Sequence, residues 1–174
     1  AQLTEAQVVA LRLYTTAAFK SINGPLRDAG RQARHVPHPL AATVAFIKEG
    51  LSKLRAADAE NKPLDLWRGM RNLQVSKDFL ARGGTELAPM STTADLRIAV
   101  RYSRGATAGV LIFLINAETF MQVGADLTYC SAFPEEKEFL YPPLTFLSPS
   151  GNVWKLEHDS TMYTIVEVEP QFPS

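Results

Sequence analysis

Two glutamates that lie two residues apart, Glu136 and Glu138, are the residues of this chain best suited to chemistry. In an extended strand the side chains at positions i and i+2 point to the same face, with Cα atoms about 6.5–7 Å apart. The sequence therefore predicts a strand that begins with both carboxylates on one face, with Lys137 pointing away. Paired carboxylates suit chemistry at an electron-deficient carbon or the binding of a cation. The alternative is an edge strand that carries charge to prevent unwanted pairing.

An arginine followed by a glycine stands at the end of another predicted strand, at Arg68 and Gly69. Arginine can donate two parallel hydrogen bonds to a phosphate or a carboxylate. Glycine has no side chain, so a ligand can approach the backbone closely at this point. The alternative interpretation is a solvated arginine at a strand end.

Three hydroxyl side chains, Ser91, Thr92 and Thr93, stand at the end of a third predicted strand and precede a predicted helix. They can cap the helix that follows, a role that Thr93 could fill alone.

The elements that must position these groups begin with helices. Thr4 and Gln7 have the spacing of a capping box. Val9, Leu13 and Ala17, with Ala10 and Tyr14 beside them, predict the apolar face of a first helix. Asn23, Gly24 and Pro25 are expected to end that helix, and a polar connection is expected at 27–38. A second helix is predicted from Leu40 to Arg55, and a polar linker at 58–63.

The periodicity changes to that of strands at Leu64. Strands are predicted at 64–68, 87–92, 109–115, 144–147, 153–157 and 162–168, with short helices at 76–82 and 94–102 and a turn at 148–151. Helices followed by strands predict an α+β fold, with N-terminal helices and a mostly antiparallel two-sheet β core. Residues 1–174 are expected to form a single domain, with a helical part at 1–60 and the β core at 64–170.

Composition narrows the function classes. The chain has 174 residues, of which 46% are hydrophobic and 21% charged, and its formal net charge is zero. A domain that binds nucleic acid by bulk electrostatics would carry an excess of basic residues, so this function is not expected here. No apolar run reaches the roughly 18 residues of a membrane span, so none is predicted.

Cysteine and histidine usage is sparse. Cys130 is the single cysteine, so no intramolecular disulfide can form. A loop thiol without a local role is expected there, with a nucleophile as the alternative. His35, His38 and His158 are scattered without zinc-site spacing, so no metal site is expected.

Taken in order, the polar groups resemble a known family, the arginine-specific mono-ADP-ribosyltransferases with an arginine–serine–glutamate set, a class that includes cholera-type toxins and cell-surface enzymes. The matching segments are Trp67-Arg68-Gly69, then 89–93 with 99–102, then 133–143, which contains Glu136-Lys137-Glu138, a hydrophobic triplet and two prolines. Residues Tyr14-Thr15 and 22–27 also fit, and the resemblance spans roughly residues 3–170. One departure is Thr93, where a serine is commonest in this family.

The resemblance implies a fold of the ADP-ribosyltransferase type and an activity on NAD as co-substrate. Such an enzyme cleaves the nicotinamide–ribose bond, releases nicotinamide and transfers ADP-ribose to a protein arginine, without a metal. Glu138 would stabilise positive charge on the ribose and Glu136 would bind the incoming guanidinium. Ser91 would hydrogen-bond Glu138 and fix its rotamer.

Three other residues receive roles by the same resemblance. Arg68 would contact the NAD phosphate or ribose, the Gly69 backbone would hold the nicotinamide amide, and Thr92 would belong to the NAD-binding set. Phe133 would touch the substrate protein, or else would only anchor its loop.

Alternatives remain open from the sequence. An NAD glycohydrolase on the same fold, a non-catalytic module that binds NAD or ADP-ribose, and a glycosidase acting on another substrate all fit paired carboxylates, although the last does not explain Arg68 and Ser91. The expected partners are NAD and a protein with an exposed arginine, with no nucleic acid. The single cysteine and the absence of a signal pattern favour an intracellular location, and a secreted effector is the alternative.

Overall fold

Four helices open the chain in the computed structural model, which describes residues 2–57, 64–103 and 105–173. They are α1 (Glu5–Tyr14), α2 (Phe19–Arg27), α3 (Ala29–Ala33) and α4 (Ala41–Ala57). The linker predicted at 58–63 lies outside the described residues. In the part of the chain that is described, no helix is long and apolar enough to cross a membrane.

The first helix begins as predicted but buries a different face. Thr4 and Gln7 form the capping box on α1. The buried side chains are Gln7, Ala10, Leu11 and Tyr14, whereas Val9 is 58% exposed. Ala10 and Tyr14 are therefore buried as predicted, but the stripe through Val9 and Leu13 was wrong.

The predicted end of the first helix was also wrong. Asn23, Gly24 and Pro25 lie inside α2 rather than ending α1, and α3 occupies part of the expected connection. A turn at 15–18 separates α1 from α2, and Pro25 lies in the last turn of α2.

The second predicted helix corresponds to α4 and packs on α1 as its periodicity indicates. Ile47 and Leu51 are fully buried against α1. A Cβ on Gly50 would lie 2.9 Å from Cδ1 of Leu11, so the absence of a side chain lets the two helices approach closely.

Eight strands follow in the described part of the chain, with two α-helices among them. The strands are β1 (Leu64–Arg71), β2 (Gly84–Glu86), β3 (Met90–Thr93), β4 (Val110–Ala117), β5 (Ala125–Asp126), β6 (Glu138–Tyr141), β7 (Thr145–His158) and β8 (Thr161–Gln171), and the helices are α5 (Lys77–Arg82) and α6 (Leu96–Tyr102). All pairs among these strands are antiparallel except β4 with β8, so the α+β, mostly antiparallel prediction is confirmed.

The expected division into two sheets needs correction, because the described strands form one sheet in the order β2-β7-β8-β4-β1-β3-β6-β5. A single register pair, Trp67 with Thr93, joins β1 to β3. By contrast, β1 pairs with β4 over eight residues. The two halves therefore meet at one narrow junction, and the site residues cluster around it.

Several strands are longer than predicted, among them β8, which runs from Thr161 to Gln171 instead of over 162–168. β1 does not end at Gly69 but continues to Arg71. β7 runs without a break through the turn predicted at 148–151, because the ladder with β8 absorbs the extra residues as a bulge between Pro149 and Val153.

Two apolar cores share β6. Leu140 packs with α1, α2 and α4, whereas the adjacent Tyr141 packs with β1, β4, β7 and β8. Successive strand side chains point to opposite faces, so β6 contributes to both cores. Glu138 lies two residues before Leu140 and therefore faces the helices.

Candidate active site

A cleft of about 390 Å³ opens between the N-terminal helices and the junction of β1 with β3. Its size is typical of ligand sites. Every site residue predicted from the sequence lines it, namely Arg68, Gly69, Ser91, Thr92, Phe133, Glu136 and Glu138. The structure thus brings together residues that lie up to 70 positions apart in the chain.

Glu138 forms part of the wall of this cleft. It is the first residue of β6, pairs with Thr93 of β3, and is only 6% exposed. Ser91 sits diagonally across the same pair of strands, within reach of a long side chain. Burial raises the pKa of Glu138, the Ser91 hydroxyl opposes that rise, Glu136 adds to it and Arg68 opposes it. Burial outweighs the two groups that favour the carboxylate.

Glu136 lines the cleft, but it does not lie in the extended strand that was predicted for it. It ends a short 3₁₀ helix, Pro134–Glu136, and Lys137 follows in the left-handed conformation with φ of 46°. The strand begins only at Glu138, so the expected extended i, i+2 arrangement was wrong. Both carboxylates nevertheless line the cleft, because the left-handed residue turns the chain between them.

Two hydroxyl groups hold Glu136. The Tyr102 hydroxyl at the end of α6 donates to its Oε1 at 2.5 Å, and Thr93 Oγ1 donates to its backbone carbonyl at 2.7 Å. Burial and the adjacent Glu136 carboxylate raise the pKa of the Tyr102 phenol. Thr93 does not cap α6, since that cap is Asp95, whose side chain accepts from the Arg97 amide.

Arg68 lies on β1 next to the narrow junction. Its Nη1 donates to the Ser91 carbonyl at 2.8 Å, which ties the arginine to the strand that carries the serine. Burial lowers the pKa of Arg68, although an arginine stays charged in proteins. The remaining guanidinium donors can bind an anionic ligand.

Gly69 has a packing role that the sequence did not indicate. A Cβ at this position would lie 2.1 Å from the Ala99 carbonyl oxygen and 2.6 Å from Ser103 Oγ. The backbone of α6 therefore rests directly on β1. Gly69 also lines the cleft, so the predicted approach of a ligand is compatible with this packing.

Thr92 uses its hydroxyl within the sheet. Its Oγ1 donates to the Phe139 carbonyl at 2.8 Å, and the residue is 3% exposed. This hydrogen bond secures β3 to β6 beside the two carboxylates.

Two helical residues complete the cleft, and sequence analysis gave them no role. The Tyr14 hydroxyl donates to the Pro89 carbonyl at 2.8 Å, and Asn23 Nδ2 donates to that hydroxyl at 3.0 Å. Burial raises the pKa of Tyr14 to about 12. Asn23 is 4% exposed, and its Oδ1 is a buried acceptor without a hydrogen-bond partner among the described residues. The signal in the sequence was the match of Tyr14-Thr15 and 22–27 to the family, whereas Asn23 itself was interpreted as part of a helix stop.

The loop before the 3₁₀ helix is tied to the end of α1. Thr15 Oγ1 accepts from the Ala132 amide at 2.9 Å, and Arg12 donates to the Ser131 carbonyl at 3.2 Å. Tyr129 is 99% exposed and Phe133 is 45% exposed, so two aromatic rings project from this anchored loop.

Cys130 lies in the same loop. Burial and the nearby Glu138 and Asp126 raise the pKa of its thiol, which disfavours a nucleophilic thiolate. Within the described ranges, no three histidine, cysteine, aspartate or glutamate side chains are grouped as they would be around a metal ion.

Most of the chain matches one known protein family. A model of the family described as NAD:arginine ADP-ribosyltransferase matches residues 1–155. No curated protein is similar enough in sequence to match the chain.

Several solved structures share the fold. The ADP-ribosyltransferase Vis of Vibrio splendidus, solved with agmatine, superposes with a TM-score of 0.68 at 18% identity, over 97% of this chain and 76% of that one. HopU1 of Pseudomonas syringae pv. tomato DC3000 gives 0.67 at 19%, over 93% and 76%. C3stau2 from S. aureus, solved with NAD, gives 0.65 at 15%, over 98% and 89%. At these identities the likeness establishes the fold.

Proposed function

The chain belongs to the NAD:arginine ADP-ribosyltransferase family, and from this premise we propose that its cleft binds NAD and transfers ADP-ribose to arginine side chains of a protein, with release of nicotinamide. The observation that carries this proposal is that two carboxylates with different degrees of burial line the same cleft. Glu138 is buried beside Ser91, and Glu136 stands nearer to solvent.

The cleft has the groups that NAD requires. The Arg68 guanidinium supplies positive charge for the diphosphate or a ribose hydroxyl, and Arg27 lies at the same cleft, paired with Glu86 at 2.9 Å. The buried Oδ1 of Asn23 lacks a donor in the described part of the chain. A buried acceptor without a partner is costly, so a ligand hydroxyl or amide that donates to it would be stabilised.

Glu138 takes the role of stabilising the transition state. The bond between the ribose C1′ and the nicotinamide nitrogen breaks, and its electron pair stays on nicotinamide, which leaves neutral. Positive charge then develops on the ribose, as in glycoside hydrolysis. A carboxylate in a water-poor wall stabilises that charge more strongly than one in bulk water. Ser91 supports Glu138 by favouring its ionised form.

Glu136 takes the role of binding the acceptor. A carboxylate accepts two parallel hydrogen bonds from a planar guanidinium. One guanidinium nitrogen attacks C1′, the new C–N bond forms, and the nitrogen loses a proton. Glu136 would stand next to that nitrogen and would take up the proton or pass it to solvent.

The protein substrate would meet the loop that ends at Phe133. Tyr129 and Phe133 project into solvent from a loop that Thr15 and Arg12 hold in place. Exposed aromatic side chains on a fixed support are frequent anchors at protein interfaces. We assign Phe133 to substrate contact on this basis.

The test is to incubate the protein with NAD and agmatine, a small guanidine, and to measure nicotinamide, the ADP-ribosyl adduct and free ADP-ribose. The wild-type chain should form adduct. Glu136→Gln should form little adduct while retaining most hydrolysis of NAD, because water needs no guanidinium site.

The matched control is Glu135→Gln, since Glu135 is the exposed neighbour and does not line the cleft. This variant should form adduct like the wild-type chain. Release of free ADP-ribose alone by the wild-type chain would establish an NAD glycohydrolase instead, and no release of nicotinamide would establish a binding module.

A further inference from the structure

The side chain of Glu136 is held by a tyrosine that belongs to another element. Tyr102 ends α6, whereas Glu136 ends the 3₁₀ helix before β6, and the two meet through the hydrogen bond of 2.5 Å. Tyr102 is 56% exposed, so core packing alone does not account for its orientation. The hydrogen bond to Glu136 is the main polar contact that fixes the phenol.

The donor has a rigid support. The α6 backbone rests on Gly69 of β1, and Ser103 Oγ donates to the Ala99 carbonyl at 3.0 Å. The backbone of Glu136 is fixed separately, by Thr93. Both ends of the Tyr102–Glu136 contact are therefore held by the sheet.

This contact matters for a guanidinium acceptor in particular. A partly exposed glutamate samples several rotamers, and fixing one of them has an entropic cost. A guanidinium binds best when both carboxylate oxygens lie in one plane with its donors. A carboxylate has about four lone-pair sites, so one phenol donor leaves enough capacity for two guanidinium hydrogen bonds. A tyrosine phenol is protonated at neutral pH even at its ordinary pKa of about 10. Burial and Glu136 raise the pKa of Tyr102 further, so the hydroxyl remains a donor.

We propose that Tyr102 is a positioning residue that orients Glu136 for arginine and thereby sets how the ADP-ribosyl group is divided between arginine and water. With arginine, a C–N bond forms at C1′ and the guanidinium releases a proton. With water, a C–O bond forms at C1′ and water releases a proton. In both reactions the nicotinamide bond breaks in the same way. This role rests on the proposed transferase function.

The test compares Tyr102→Phe with the wild-type chain in the presence of NAD and varied agmatine. Loss of a hydrogen bond to a charged group should lower kcat/KM for agmatine on the order of tenfold. The change should appear mainly as a higher KM for agmatine, because orientation of the acceptor site is lost. Hydrolysis of NAD without agmatine should fall far less, so the ratio of adduct to free ADP-ribose drops.

Tyr163→Phe is the matched control, since Tyr163 lies on β8 outside the cleft. A double variant, Tyr102→Phe with Glu136→Gln, separates positioning from a general structural effect. If Tyr102 acts through Glu136, the double variant should be no worse than Glu136→Gln alone, because the hydroxyl then has no carboxylate to orient.

Three results would overturn the proposal. An unchanged adduct ratio in Tyr102→Phe would show that the hydroxyl does not orient the acceptor. Equal loss of hydrolysis and transfer would place Tyr102 in NAD binding, and additive losses in the double variant would show that it acts independently of Glu136. A wild-type chain that forms no adduct would instead overturn the transferase function and this role with it.

Discussion

A single residue, Glu138, illustrates that a side chain placed for the proposed reaction can lower the stability of the folded chain. Its pKa is raised in the folded chain, chiefly by burial. A raised pKa means that folding favours the protonated form, so stability is lost as the pH rises and the buried group ionises. The ionised form of Glu138 therefore opposes folding, although it is the form that the proposed reaction needs.

We predict that Glu138→Gln abolishes ADP-ribosyl transfer without destabilising the fold. The neutral amide removes the cost of a buried charge, so the free energy of unfolding at neutral pH should stay the same or rise by up to about 2 kcal/mol. Thermal unfolding and the agmatine assay measure the two properties. A melting temperature several degrees below that of the wild-type chain would contradict the electrostatic account, and near-normal adduct formation would contradict the catalytic role.

Ser91 allows a prediction about pH. Its hydroxyl lowers the pKa of Glu138, so Ser91→Ala should raise that pKa further. The carboxylate would then become protonated at a higher pH, and the acid limb of kcat/KM for NAD would move to higher pH. Ser91→Thr, which keeps a hydroxyl, should retain more of the wild-type profile. An acid limb that stays in place in Ser91→Ala would show that the hydroxyl does not act on Glu138.

The sequence predicted which residues line the cleft, but it did not predict their contacts. Arg68, Ser91 and Glu138 could be singled out because residue type and order carry the signal. The matching segments 99–102 and 22–27 contain Tyr102 and Asn23, but no role could be given to these two residues, because their contacts depend on which side chain of a distant element faces them.

At the scale of elements, the contact between α6 and β1 is the most constrained. The position of a Cβ on Gly69 would overlap the Ala99 carbonyl, which is backbone and cannot rotate away. We predict that Gly69→Ala displaces α6 and destabilises the chain by about 1–3 kcal/mol or more, as overpacking does. Denaturant unfolding measures this change.

Gly24→Ala is the matched control for that substitution. Gly24 lies in α2, and no atom of the described residues outside its own helical turn stands within 4 Å of the position that a Cβ would take. Alanine has a higher helix propensity than glycine, but its Cβ would meet the ring of Pro25, so the net change in the free energy of unfolding should be smaller than that at Gly69. If Gly69→Ala were as stable as Gly24→Ala, the close approach of α6 would not constrain the sheet.

Element boundaries were harder to predict than element types. The periodicity of 40–55 predicted α4 correctly, because its apolar stripe is continuous along one face, which packs on α1 and β5. The turn predicted at 148–151 was wrong because pairing with β8 outweighs the local turn propensity of these residues. The ladder accommodates the extra residues as a β-bulge. The prediction of the buried face of α1 was wrong in part because that face is determined by contacts with α4 and with the Pro89 carbonyl. Neither contact can be deduced from the spacing of residues within the helix.

At the scale of the molecule, we propose that the helical part and the sheet form a single cooperative domain. The two apolar cores meet on opposite faces of β6, so neither core is complete without that strand. We predict one unfolding transition, with coincident curves from far-ultraviolet circular dichroism and from the fluorescence of Trp67 and Trp154. Two separated transitions would show that the helices unfold on their own.

The cleft also has a thermodynamic consequence, because its walls come from both layers. Tyr14 and Asn23 belong to the helices, and Arg68 and Glu138 belong to the sheet. A ligand that contacts all four residues binds only when the helices are packed on the sheet. Part of its binding free energy therefore stabilises that packing. At a hundredfold excess over its Kd, such a ligand adds about 2.7 kcal/mol to the free energy of unfolding. Bound substrate would thus hold the helices and the sheet together, and the protein should be most resistant to heat and proteases while NAD is bound.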